Sequence, residues 1–145
     1  MEQKLIEELQ QFDFWLGEWD VYAEDKLIAF SSIEKITNGH IILENYEQAE
    51  YSGKSINYYD PYIKKWRQNW VDSLGTIGDF TGECHDGVMR YIGESHFVDG
   101  RRILRLMLVT CINEDEVRQY SERSDDEGKS WKLAYDFTYK RKPGQ

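Results

Sequence analysis

The sequence predicts an all-β fold, an antiparallel up-and-down barrel of about ten strands with one short N-terminal helix. Three observations predict it. Turn signals recur at roughly 8–14-residue intervals along most of the chain. The runs between them favour β structure, and neither proline falls inside one. No helical period returns after Val21. Consecutive strands must then pair with each other, and a sheet of that size escapes exposed edges by rolling up. A two-sheet sandwich is the other arrangement the pattern permits.

Taken in order, residues 2–12 place Leu5, Ile6, Leu9 and Phe12 at helical spacing, with Glu7, Glu8, Gln10 and Gln11 opposite. This is one helix with one apolar face, which a sheet or a barrel mouth must cover. Phe12 to Val21 then holds four aromatic residues and Gly17 in ten positions. Gly17 lets the chain turn tightly, and Trp19 two residues on is expected to seat a large ring beneath the sheet. The segment reads as the plug and the first strand.

The turns fall at Asn38-Gly39, Ser52-Gly53, Asp60-Pro61, Leu74-Gly75, Asp86-Gly87, Asp99-Gly100, Asn113-Glu114-Asp115 and Asp126-Glu127-Gly128. In 66–72, Trp66, Gln68, Trp70 and Asp72 share one face, against Arg67, Asn69 and Val71. In 88–96, Met89 and Tyr91 oppose Arg90 and Glu94. The run 102–112 is apolar on both faces, Leu104, Leu106 and Leu108 against Ile103, Met107 and Val109. One side of it is expected to lie under the N-terminal helix or against a second copy in a homodimer. Residues 131–141 alternate most strictly: Trp131, Leu133, Tyr135, Phe137, Tyr139 and Arg141 share a parity. The pattern leaves open which faces of 40–50 and 102–120 point inward.

At 145 residues the chain has the size of one domain, 1–145, with a proper core. Its net charge of −9 argues against nucleic acid and anionic membrane surfaces as partners. No apolar run reaches ~20 residues, and the N-terminal segment lacks the apolar stretch of a signal peptide. Cys84 and Cys111 sit on different strands without CxxC spacing. They read as free thiols of a cytoplasmic protein, with one disulfide as the alternative.

Aromatic residues make up 14 % of the chain, which suggests either a packed barrel interior or a ring-lined pocket. Gln68 and Asp72 lie between Trp66 and Trp70 on an inward face and need partners, since a buried unpaired polar group costs about 1–3 kcal/mol. Arg105, Arg118 or Gln119 are candidates to supply them. The functional reading is a cavity for a small, mostly apolar or aromatic molecule. Its walls would be Trp66, Trp70, Tyr91, Tyr135 and Phe137, and Gln68, Asp72 and Arg118 would orient the ligand. Glu44 and Tyr46 share a parity with Ile42 and are candidates for the same pocket.

The alternatives are a polar network that only fixes register, and an enzyme of isomerase, cyclase or hydratase type with Glu44 or Asp72 as base. His40, His85 and His96 lack ligand spacing, so no metal is expected. No nucleophile elbow or phosphate-cradling glycine loop is present, and no catalytic residue is assigned.

Gly17-Glu18-Trp19 after a short helix, followed by a β meander that ends in a basic residue, resembles the opening of a calycin. That superfamily holds lipocalins, fatty-acid-binding proteins and nitrobindin-like barrels. The resemblance implies that Trp19 sits at the closed end with Arg141, or else Lys140, stacked across it. Such a cation–π contact is worth roughly 0.5–2 kcal/mol.

The chain is more specifically similar to an uncharacterised bacterial family within this group. Three stretches carry the match: Phe14 to Trp19; Trp66 to Gly75; and Val117-Arg118-Gln119 running into Ser124 to Trp131. It spans nearly the whole chain and implies a fold without an activity. Nitrobindin-like relatives bind haem and share further glycines after the Gly-x-Trp, where this chain has Asp20-Val21-Tyr22. No cofactor is therefore expected, with haem as the alternative. Ser124-x-Asp126-x-Gly128-x-x-Trp131 resembles the Asp-box of sialidase propellers, there a structural hairpin with the Trp packed below. A single copy implies a turn.

Overall fold

Ten antiparallel strands form a closed barrel in the computed structural model, which describes residues 2–144. The chain opens with helix α1 (Glu2–Gln10) and a 3-10 turn (Asp13–Trp15). The strands are β1 (Gly17–Ala23), β2 (Lys26–Ile36), β3 (Ile41–Gln48), β4 (Tyr51–Asp60) and β5 (Lys65–Asp72). They continue with β6 (Ile77–His85), β7 (Val88–His96), β8 (Arg102–Asn113), β9 (Glu116–Ser124) and β10 (Lys132–Arg141). Each strand pairs with its sequence neighbours, and β10 returns to β1 with Trp19 opposite Arg141. That last pairing excludes the sandwich, because it leaves the sheet without an edge. No helix among the described residues is long and apolar enough to cross a membrane.

The hairpins follow from local backbone chemistry. Asp86 and Gly87 take φ of 50° and 77°, the left-handed pair that matches the twist of the flanking strands. Glu24 and Asp25 do the same at 49° and 65° without a glycine, so the β1–β2 turn carries no composition signal. Ser52-Gly53 is not a turn. Both residues lie within β4, and the chain reverses at Ala49-Glu50 instead.

The segment after α1 closes one end of the barrel. Phe12, Trp15 and Trp19 are fully buried. Phe12 stacks on Trp15 with centroids 4.8 Å apart and meets Trp66 edge-on at 5.7 Å. Trp66 Nε1 donates to Gln11 Oε1 at 3.2 Å, and Trp19 Nε1 donates to the Trp15 carbonyl at 2.9 Å. The Arg141 guanidinium lies 4.2 Å from the centre of the Trp19 ring, and its Nη1 donates to the Leu16 carbonyl at 2.8 Å. Gly17 has φ of +131°, and a Cβ there would sit 2.2 Å from Arg141 Nη1. A side chain at this backbone angle would be strained, and its Cβ would push that guanidinium aside.

One strand expectation is corrected and another is narrowed. In β10, Leu133 pairs with Glu122 while Tyr135 pairs with Ser121, so Ala134 is the extra residue of a bulge. The bulge reverses the parity. Trp131 and Leu133 lie outside, 44 % and 59 % exposed, while Tyr135, Phe137 and Tyr139 keep to the interior. In β8 the interior face is Ile103, Met107 and Val109, and Leu104, Leu106 and Leu108 are half-buried on the outside. Helix α1 does not cover them, since it packs against β4. Cys84 is buried, Cys111 is half-buried, and both are free thiols.

Candidate functional site

The barrel end opposite the plug opens into a cavity of about 360 Å³. Its apolar wall is built by alternate residues of neighbouring strands. Tyr135 and Phe137 on β10 stack with centroids 4.5 Å apart. Phe137 stacks on Tyr46 of β3 at 6.5 Å, and Tyr46 meets Trp70 of β5 edge-on at 6.2 Å. Gly53 makes room for that indole, because a Cβ at position 53 would lie 2.2 Å from Trp70 Cζ2.

The polar groups around this wall differ in how completely they are satisfied. Asp72 Oδ2 accepts from Tyr51 OH at 2.7 Å and Trp70 Nε1 at 3.0 Å, and its Oδ1 accepts from the amides of Leu74 and Thr76 at 3.0 Å each. Burial by itself would raise this carboxyl, but the bonds from Tyr51, Trp70, Thr76 and Leu74 outweigh it and hold the pKa below the usual range. Gln68 donates to Asn57 Oδ1 at 2.9 Å, which also accepts from Tyr91 OH at 2.9 Å. Asn57 in turn donates to the Ile42 carbonyl and to Ser55 Oγ. The partners of Gln68 and Asp72 are thus Asn57, Tyr51 and Trp70, and not Arg105, Arg118 or Gln119.

Glu44 sits at the cavity floor, 3 % exposed. Its Oε2 accepts from Ser31 Oγ at 2.8 Å and from Tyr139 OH at 2.7 Å. Burial pushes its pKa up to about 7, against the downward pull of the Tyr139 and Ser31 bonds. A carboxyl in that range can hold or release a proton near neutral pH. Burial, together with the neighbouring Glu44 charge, pushes Tyr139 well above the ordinary phenol value.

Arg105 and Gln119 also line the cavity. Arg105 Nε and Nη2 donate to Ser121 Oγ at 3.1 and 2.7 Å, and Nη1 donates to Ser95 Oγ at 3.0 Å. The guanidinium lies between Phe80 at 5.7 Å and Tyr135 at 5.4 Å. Gln119 Nε2 donates to Tyr135 OH at 3.0 Å and to Met107 Sδ at 3.1 Å, while its buried Oε1 has no partner among the described residues. Sequence reasoning placed both only as partners for Gln68 and Asp72. The signal was there: position 105 shares the parity of Ile103, Met107 and Val109, a lone cation on an inward apolar face.

Of the residues the sequence singled out, Glu44, Tyr46, Gln68, Trp70, Asp72, Tyr135 and Phe137 line the cavity. Trp66 and Tyr91 are buried below it, packed against Phe12 at the plug. Arg118 is outside, because Val117 and Gln119 take the inward parity of β9. It pairs with Asp136 through two bonds of 2.9 and 2.8 Å. Gly17, Trp19 and Arg141 form the closed end, as described above. In the Ser124–Gly128 turn, Ser124 Oγ donates to Asp126 Oδ1 and accepts from the Gly128 amide, both at 2.8 Å. Trp131 borders an outer groove with Arg67, Ile92 and Leu104 rather than packing beneath this turn.

His40, His85 and His96 are all exposed, so haem in the cavity would meet no imidazole. The Met107 sulfur and the Tyr135 hydroxyl are already engaged by Gln119. Among the described residues the cavity thus offers haem no histidine ligand.

The ten-stranded meander with its single N-terminal helix is consistent with a calycin-like fold. No protein-family model matches the chain, and no curated protein matches it either.

Proposed function

We propose that the barrel binds one small, largely apolar or aromatic molecule in this cavity. The observation that supports the reading is the ring-walled space of about 360 Å³ at the open end, within the size range of small-molecule sites. A network that only fixed strand register would have no use for that volume. A ligand that buries on the order of 250 Å² of apolar surface gains roughly 6 kcal/mol before the cost of association. Apolar contact alone therefore supports weak binding, and a polar anchor adds to it. Titration of the protein with fatty acids, retinoid-like compounds and aromatic metabolites tests the reading. Quenching of Trp70 fluorescence with a rise in melting temperature is expected for members of the panel; no change in either signal across it would remove the reading.

Glu44 supports a second reading, an isomerase, cyclase or hydratase type of enzyme with this carboxyl as acid–base group. Its pKa of about 7 suits proton transfer at neutral pH. Asp72 does not suit that role, since its carboxylate is held ionised by four hydrogen bonds. NMR titration of the Glu44 side chain tests its premise, and an ordinary midpoint near 4.5 would set the reading aside.

A further inference from the structure

Arg105 is the one basic side chain among the described residues that line the cavity. A guanidinium carries five N–H donors. Three are engaged by the hydroxyls of Ser121 and Ser95, which leaves two. Among the described residues no carboxylate bonds to it, whereas arginines that do have carboxylate partners, such as Arg67, Arg102 and Arg118, lie on the outer surface. The rings of Phe80 and Tyr135 flank the cation and hold its plane in place. Asp72, the ionised acid of the cavity, cannot complement a ligand in the same way, because four hydrogen bonds already occupy its two oxygens.

The second unsatisfied group is Gln119, 7 % exposed, with an orphaned Oε1. Its strand register places it deeper than Arg105: Val109 pairs with Gln119 and Met107 with Ser121, while Arg105 lies toward the mouth. A hydrocarbon ligand would leave both the cationic donors and the buried acceptor without partners, at the cost that such groups carry.

We infer that the ligand is a compact organic acid, its carboxylate received by the Arg105 guanidinium and an O–H or N–H on its body donated to Gln119 Oε1. This rests on the small-molecule reading above and names the ligand's chemistry. The cavity volume lies near the lower end of ligand sites, which favours a compact acid over a long chain. The carboxylate sits near the mouth, the ring body lies against Phe137, Tyr46 and Trp70, and the donor points inward.

Isothermal titration calorimetry with 2-naphthoate, 2-naphthamide and 6-hydroxy-2-naphthoate tests it on the wild-type protein. The acid is expected to bind roughly 10- to 100-fold more tightly than the amide, the size of a charge-assisted contact. The hydroxy acid should gain a further factor of roughly 3 to 10. Arg105→Met should bring acid and amide to within about twofold, and Arg105→Lys should keep part of the difference because it keeps the charge. Gln119→Leu should remove only the gain from the hydroxyl. If Arg105→Met does not fold, the wild-type comparison and Arg105→Lys still decide the matter. Equal binding of acid and amide overturns the inference while leaving the small-molecule reading intact; failure of all three probes to bind also overturns the inference, and silence of the wider panel as well overturns both.

Discussion

Glu44 is a carboxyl group that folding carries out of water and supplies with two hydroxyl donors. Raising its pKa from 4.5 to about 7 means that ionising it costs about 3 kcal/mol more in the folded protein than in the unfolded chain. Below pH 4.5 both states hold the proton and nothing is lost. Between 4.5 and about 7 the folded state binds more protons than the unfolded one, so stability falls as pH rises, and the full loss is present above about 7. Glu44→Gln removes that dependence. Urea unfolding should show the variant gaining up to about 3 kcal/mol on wild type between pH 4.5 and pH 8; a constant difference across that range would contradict the placement. Gly53 is the other single position on which the cavity turns. Gly53→Ala puts a methyl carbon into the Trp70 ring, 2.2 Å from Cζ2 and 2.4 Å from Cη2. The indole must shift into the cavity, at a cost of about 1–3 kcal/mol. A lower melting temperature together with weaker probe binding is expected.

At the scale of elements, the plug and β10 carry opposite lessons. The plug was legible because its signals are local: Gly17 two residues before Trp19, after an amphipathic helix, permits few arrangements. Arg141→Met should cost about 1–3 kcal/mol in urea unfolding, through the lost cation–π contact with Trp19 and the unbonded Leu16 carbonyl. The start of strand β10 misleads in sequence, because a bulge reverses parity without any mark in the composition. Gly53 misled for a related reason. A glycine that makes room for a ring looks, in sequence, like a glycine that turns the chain. Arg118 faces out because Val117 and Gln119 beside it claim the inner face, and alternation on β9 is too weakly apolar to settle that phase from sequence. The Gln68–Trp70–Asp72 face of β5 was legible, since its alternation is regular and uninterrupted. Its hydrogen-bond partners were not, because Asn57 and Tyr51 come from a strand whose register only pairing reveals.

The whole molecule divides its rings between two ends. Trp15, Trp19 and Trp66 are buried at the plug, Trp70 faces the cavity, and Trp131 lies on the outer surface. Closure of β10 onto β1 keeps these environments apart, because no sheet edge remains through which the plug end could open. The five indole N–H groups therefore report on separate regions of one barrel. NMR of those five signals during titration with 2-naphthoate is the most direct test of ligand binding at the open end. The account predicts that the Trp70 signal shifts with ligand concentration while those of Trp15, Trp19 and Trp131 hold still. A Trp70 signal that does not move at saturating ligand, or a shift confined to Trp131, would contradict it.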